Sequence, residues 1–332
     1  MSKNYSLELD AIAAHLDRGW DRLHAGDPAG ARVSAARILE LSPESPEALT
    51  LMGAIAASEG DAEEAMDSFR QAMDQDPEYL DAVLYAAGLA IHTLGDWKHG
   101  LELCKQGEPL AVDPTDRLDL FLMQAEALLV AGDPQGAGGA LAQIPAPPYP
   151  DPGHALRAGR AWLEVGNIDR AVAALDDAAD DEDTRAEAQY MLGIAREQQG
   201  RPLEGLKHFL EVHRLNRCGP APPWAPSLEA FEQVIQRALE ALPEALRASL
   251  ADLPLEVADL PPLELVAEGF DPWAMVLVAS LGAEGGGPER APTAIFVYKR
   301  NVERAAGSLE ELPTALGLAL EQELAFLLGD ED

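Results

Sequence analysis

A glycine followed by a polar residue recurs at almost constant spacing through the first two-thirds of the chain. The series is Gly26-Asp27, Gly60-Asp61, Gly95-Asp96, Gly132-Asp133, Gly166-Asn167 and Gly200-Arg201, with steps of 34, 35, 37, 34 and 34 residues. A period near 34 residues corresponds to one helix–turn–helix unit, repeated. Each unit touches only its neighbours, so such a stack grows in one direction and exposes a long concave face. That surface favours holding another protein over turning over a small molecule.

Small and large residues alternate as stacked hairpins require. Repeat two carries Leu49, Met52, Gly53 and Ala56 before its turn, then Ala65, Phe69 and Ala72, and closes at Pro77. Two helices approach closely only where Gly or Ala sits at the crossing, and a residue such as Phe69 fills the gap beside it. Proline cannot continue a helix, so Pro77 ends the second one. Looser copies follow, from Gly19, Ala31 and Ile38 in repeat one to Leu192, Gly193, Gly205 and Phe209 in repeat six.

This pattern resembles the tetratricopeptide repeat (TPR) over roughly residues 8–217. The resemblance implies a mostly α protein, a right-handed α-solenoid of about six repeats. It also implies that inward positions of the first helices line the groove: Trp20, Tyr85, Leu89, His92, Leu122, Glu126, Arg160, Tyr190 and Glu197. These side chains suit a protein or peptide partner with a basic or amphipathic segment. TPR domains that grip chaperone C-termini use clustered Lys and Asn, whereas Leu16 and Trp20 occupy the corresponding places in repeat one. That subclass is not expected. Pro145–Pro152 holds five prolines, at 145, 147, 148, 150 and 152, which is stiff and extended rather than helical. Two readings stay open: a bend or division of the array, or a lengthened turn.

The period ends at a proline-rich linker, 218–226. A new domain is expected over 227–332. Ser227 caps a helix through Leu242, with Phe231, Val234, Ile235, Ala238 and Leu239 at helical spacing, and a short helix through 245–250 comes next. Strands are expected at 253–257, 293–298 and within 273–281. Ser308 and Glu311 have capping-box spacing for a last helix to about Leu328.

This order resembles the minimal bacterial zincin-like metallopeptidase domain, a small α+β unit. The likeness lies in Ala241–Arg247, in Ile295–Arg304 read as a strand and turn, and in Gln322–Glu331. The family places a His-Glu-x-x-His motif at the start of the third segment. Two His one turn apart bind zinc there, and the Glu is general base on the metal-bound water. Here Gln322 and Phe326 stand at the ligand positions, with Glu323 between them and Glu331 near the place of an acidic third ligand. All seven His, at 15, 24, 92, 99, 154, 208 and 213, precede this domain. The expectation is a pseudoenzyme that binds no metal or cofactor and has no catalytic residue.

Charge and cysteine content narrow the rest. The net charge is −34. Residues 226–332 carry 6 Lys/Arg against 20 Asp/Glu, and residues 1–225 carry 18 against 38. Such a field repels nucleic acid and anionic lipid. Cys104 and Cys218 are isolated, so no disulfide framework or zinc knuckle is indicated. The first residues lack a basic start and an apolar run, and no apolar stretch reaches spanning length, so a cytoplasmic protein is expected. Gly285-Gly286-Gly287 has no Lys-Ser/Thr beside it to make a phosphate loop. The expected function is a non-catalytic adaptor. Its rivals are a metallopeptidase with an atypical ligand set, or a dedicated chaperone or regulator of one enzyme or secretion substrate.

Overall fold

The computed structural model describes residues 2–250, 253–281 and 291–328. The chain divides into two compact units, residues 1–184 and 185–332.

The first unit is five stacked helical hairpins. They are α1 (Ser2–His24) with α2 (Pro28–Leu41), α3 (Pro46–Ser58) with α4 (Ala62–Gln75), α5 (Leu80–Gly88) with α6 (Trp97–Gly107), α7 (Pro114–Val130) with α8 (Pro134–Leu141), and α9 (Pro152–Glu164) with α10 (Ile168–Ala178). Each turn glycine of the series, including Gly200 in the second unit, has φ between 65° and 85°. Only glycine takes that left-handed conformation without strain. It lets the next N–H close the helix: Asp27 N–H donates to Arg22 O at 2.8 Å, and Asp61 N–H to Ala56 O at 2.9 Å. The same Asp then caps the following helix, Asp27 Oδ1 accepting from Gly30 N–H at 2.8 Å and Asp61 Oδ1 from Glu64 N–H at 2.9 Å. Asp96, Asp133 and Asn167 repeat the device. The Gly–Asp pair is thus a stop and a start in two residues.

The departures from 34 also have structural causes. After α5 the helix widens into a π-helical turn, Leu89–Thr93, which absorbs one extra residue. Asp96 N–H accordingly reaches back six residues, to Ala90 O, where the other turns reach five. The step of 37 reflects the length of α7, 17 residues against 13 in α3 and in α9, and the long link before it is held by Arg117 Nε–H donating to Ala111 O. Gly53 lies against the Phe69 ring, where a Cβ would collide, and Gly193 stands in the same relation to Phe209.

The proline-rich stretch joins α8 to α9. Ile144 and Tyr149 pack into one apolar core with Leu141 of α8 and Trp162 of α9, so packing continues across it. Tyr149 N–H also donates to Asp177 Oδ2 at 2.7 Å.

The second unit opens with the sixth hairpin, α11 (Arg185–Gln198) and α12 (Pro202–Cys218). There follow α13 (Leu228–Ala241), α14 (Glu244–Leu250), β1 (Leu255–Ala258), α15 (Leu263–Ala267), β2 (Val276–Leu281), β3 (Ala291–Tyr298), α16 (Lys299–Ala306) and α17 (Leu312–Leu328). The sheet order is β1-β3-β2, with β1 parallel and β2 antiparallel to β3. Phe231, Val234 and Ile235 of α13, Val278 of β2, Ile295 and Val297 of β3, and Leu316 and Leu320 of α17 form its core.

One sequence expectation needs correction here. The segment after Tyr298 is a helix, not a turn, because α16 begins at Lys299 and ends at Gly307 in the left-handed conformation. The stretch 218–226 is fastened in place. Arg300 Nη1 donates to Asn216 O at 2.8 Å and to Gly219 O at 2.9 Å, and Trp224 packs on the core. The guanidinium satisfies carbonyls that the end of α12 leaves without helical partners. The buried His213 of α12 donates from Nε2 to Pro261 O at 2.9 Å. Gly285-Gly286-Gly287 and Glu331 lie outside the described residues.

At the sixth turn Arg201 makes no side-chain capping bond before α12. Arg201→Asp is expected to stabilise the chain by about 1 kcal/mol. Gly60→Ala, forced to φ +85°, is expected to destabilise it by about 1 kcal/mol or more. Urea midpoints followed by circular dichroism check both.

Candidate functional site: a groove on the first helices

In the first unit the initial helices of successive hairpins share one face. Trp20 of α1 stacks on Tyr85 of α5 with ring centroids 5.3 Å apart and an interplanar angle of 22°. Tyr85 in turn lies 5.8 Å from Phe69 of α4. Around them is a cavity of about 540 Å³, lined also by Ala57, Leu84, Gly88, Leu89, Thr93 and Met123, with carboxylates from Asp81 and Asp119. Gly88 contributes by what it lacks, because a Cβ there would meet no atom within 4 Å. The π-helical turn directly after it carries Leu89, His92 and Thr93.

Beside this cavity an ion network joins three first helices. Arg157 of α9 grips Glu126 of α7 with two bonds, Nε to Oε1 at 2.9 Å and Nη2 to Oε2 at 3.0 Å. Its Nη1 donates to Asp119 Oδ1 at 3.0 Å. His92 Nε2 lies 3.2 Å from Glu126 Oε2, and His154 Nε2 lies 3.1 Å from Asp119 Oδ1. Burial alone would raise the Glu126 carboxyl, but hydrogen bonds from His92 and Arg157 outweigh it and hold the group down at about 2. Asp119 is lowered likewise, its burial outweighed by His154 and Arg157. The hydrogen bond to Asp119 raises His154. With Arg160, Glu164, Leu129 and Val130, the His92, Glu126 and Arg157 members of this network line a second cavity of about 290 Å³.

The structure gathers some of the expected groove residues and disperses others. Trp20, Tyr85 and Leu89 line the first cavity, and His92, Glu126 and Arg160 the second. Leu122 does not face the groove. It is fully buried beside Leu118 and Ala125, because the groove-facing row of α7 runs Asp119, Met123, Glu126 and Val130. Helical spacing of three and four from Glu126 identifies Asp119 and Met123, which the sequence reading missed along with Asp81, Phe69 and Arg157. Tyr190 and Glu197 lie on α11, in the second unit. Tyr190 is committed there: its ring stacks on Trp273 at 4.0 Å, and its hydroxyl donates to Asp271 Oδ2 at 3.2 Å. Glu197 is exposed.

The motif positions singled out in the sequence lie on α17. Gln322 is an exposed neutral amide on α17. Glu323 is half-buried, and its Oε1 accepts from Val278 N–H of β2 at 3.3 Å. Burial raises its carboxyl, partly opposed by that bond. The Phe326 side chain lies outside the described residues. Among the described residues no group of three or more His, Cys, Asp or Glu could hold a metal ion. Likewise, no helix among them is long and apolar enough to cross a membrane.

Residues 16–79 and 156–216 match the family model described as tetratricopeptide repeat. Among solved structures, the Pseudomonas aeruginosa pilF protein superposes with a TM-score of 0.53 at 16% identity, over 64% of this chain and 95% of that one. PilW, a widely conserved type IV pilus biogenesis factor, gives 0.53 at 13% identity over 63% and 94%. The Cut9–Hcn1 assembly gives 0.51 at 16% identity over 66% of this chain and 44% of that one. At these identities the likeness is one of fold. No curated protein matches the chain. The TPR matches lie on either side of the third and fourth hairpins, which have the π-helical turn, the long link and the proline-rich connection.

The Glu126 bonds predict a pH signature. A carboxyl held at about 2 against its ordinary 4.5 contributes stability that is complete above about 4.5 and lost as pH falls toward about 2. The stability difference between the native chain and Glu126→Gln, read from urea unfolding, is expected to shrink over that window. A constant difference would mean that Glu126 is not held ionised by its partners.

Proposed function

We propose that the chain is a non-catalytic adaptor whose TPR groove in residues 1–184 holds a basic or amphipathic segment of a protein partner. The TPR fold suits a protein–protein interaction scaffold. The observation that carries the proposal is the cavity beneath Trp20, Tyr85 and Leu89: aromatic and aliphatic walls, two carboxylates and no lysine or arginine in its lining. Apolar anchors enter such walls, and basic residues are drawn by the acidic surroundings. A protein of this charge working in the cytoplasm would meet its partner by long-range attraction, so association slows as salt rises.

In this reading 1–217 is the functional array, 218–226 its tether and 227–332 a metallopeptidase-derived pseudoenzyme domain serving as cap or second docking surface. A terminal repeat needs its outer apolar face covered. The contacts of Arg300 and of His213 with Pro261 support a capping role, because they tie α12 to the later elements. The Glu323 carboxylate supports loss of chemistry, since its bond to Val278 N–H gives it a structural use. Glu323→Gln keeps an acceptor for that N–H and is expected to melt within about 0.5 kcal/mol of the native chain, whereas Glu323→Ala loses about 1–2 kcal/mol. Stoichiometric zinc in the purified protein, lost in Glu323→Ala, would overturn the pseudoenzyme reading.

The groove is tested by photo-crosslinking in the native cell. Crosslinkers replacing Trp20 and Tyr85 are expected to capture a protein that the same group at exposed Val33 or Val112 does not. Gly88→Leu, whose Cβ would meet no atom within 4 Å, is expected to lower the yield of a crosslinker at Leu89 more than fivefold. Equal capture from all positions, insensitive to Gly88→Leu, would sink the proposal.

A further inference from the structure

The charge around the aromatic cavity points to one kind of side chain. Asp81 stands in the lining at the start of α5, and the hydroxyl of Tyr79 donates to it at 3.1 Å. Asp113 caps α7, and Asp116 stands in its first turn, one turn before Asp119. Asp119 already has Arg157 and His154 as partners. Among the described residues, no Lys, Arg or His lies within 4 Å of the carboxylate of Asp81 or Asp116. The raised Asp116 carboxyl, shifted by burial and then by Asp113, Asp81 and Asp119, fits a local excess of negative charge. The walls beside it are ring faces: Trp20, Tyr85 and Phe69.

We infer that this cavity is a receptor for an arginine side chain presented by the partner segment. The inference rests on the groove reading above and adds the residue class that the groove selects. A guanidinium stacks flat on aromatic rings, is weakly hydrated and meets carboxylates edge-on with paired N–H groups. A lysine ammonium is compact and strongly hydrated, and it cannot stack in this way. The chain uses the same pairing internally, with Arg304 3.8 Å from the Trp273 ring and Arg170 4.6 Å from the Trp162 ring. An apolar side chain would fill the walls but leave the Asp81 charge, which holds only the Tyr79 hydroxyl, without a cation opposite it.

The test uses the full chain labelled with 5-fluorotryptophan, with the Trp20 signal identified by Trp20→Phe. The probes are the Nα-acetyl amides of arginine, lysine, citrulline and norleucine. Saturable movement of the Trp20 signal is expected with the arginine probe, at least fivefold weaker binding with lysine, and no saturation with citrulline. Asp81→Asn is expected to weaken the arginine response at least fivefold, and Gly88→Leu to abolish it. Glu63→Gln, an exposed acid on α4, is expected to leave it unchanged. Citrulline or norleucine binding as well as arginine, a response equally lost in Glu63→Gln, or no response to any probe would each overturn the inference. The crosslinking result separates the two ideas. Partner capture still blocked by Gly88→Leu, without arginine preference, removes the selectivity and leaves the groove. Loss of both removes both.

Discussion

The hairpins depend on reversing the chain within two residues while leaving no helix end unsatisfied. A helix ends with carbonyls facing outward and the next begins with N–H groups facing outward, and each needs a partner. The turn glycines provide the first, because their left-handed conformation lets the following N–H bond back into the finished helix. The Asp or Asn beside each provides the second. With both ends closed locally, helix faces are left to pack through small residues such as Gly53 against large ones such as Phe69. Aligned first helices then bring Trp20, Tyr85 and Leu89 to one place, although 69 residues separate the outermost two.

How much of this could be read from the sequence depends on how local its cause is. The turns were legible because glycine and its acidic neighbour act within a few residues. The fate of Leu122 was not, because family geometry assumes a regular phase along each helix. In this chain the groove row on α7 runs through Asp119, Met123 and Glu126, one position away. Arg157 was missed for a different reason. Its role is defined by Glu126 and Asp119, more than thirty residues earlier, and no spacing within α9 signals it.

In the second unit the strands were legible from their β-branched and aromatic runs, while α16 was not. Five of the eight residues of Lys299–Ala306 are polar or charged, and its apolar contribution to the core is chiefly Val302. It is held instead by polar bonds: Asn301 donates to Pro272 O and Ala274 O, and Arg300 to the end of α12. The Lys299–Glu303 pair, four residues apart, and Gly307 beyond it were the available helix signals. Family geometry puts Tyr190 in an open groove because it describes a repeat flanked only by other repeats. The true neighbour of Tyr190 is Trp273, which comes from beyond the array.

That neighbour has a use of its own. Trp273 lies face to face with Tyr190 of the sixth hairpin, and the Arg304 guanidinium sits 3.8 Å from its ring. Its indole therefore senses whether the hairpin and the closing α+β elements remain joined. Parting them would hydrate the ring and move its emission to longer wavelength, an intrinsic optical gauge of the seam that needs no added dye.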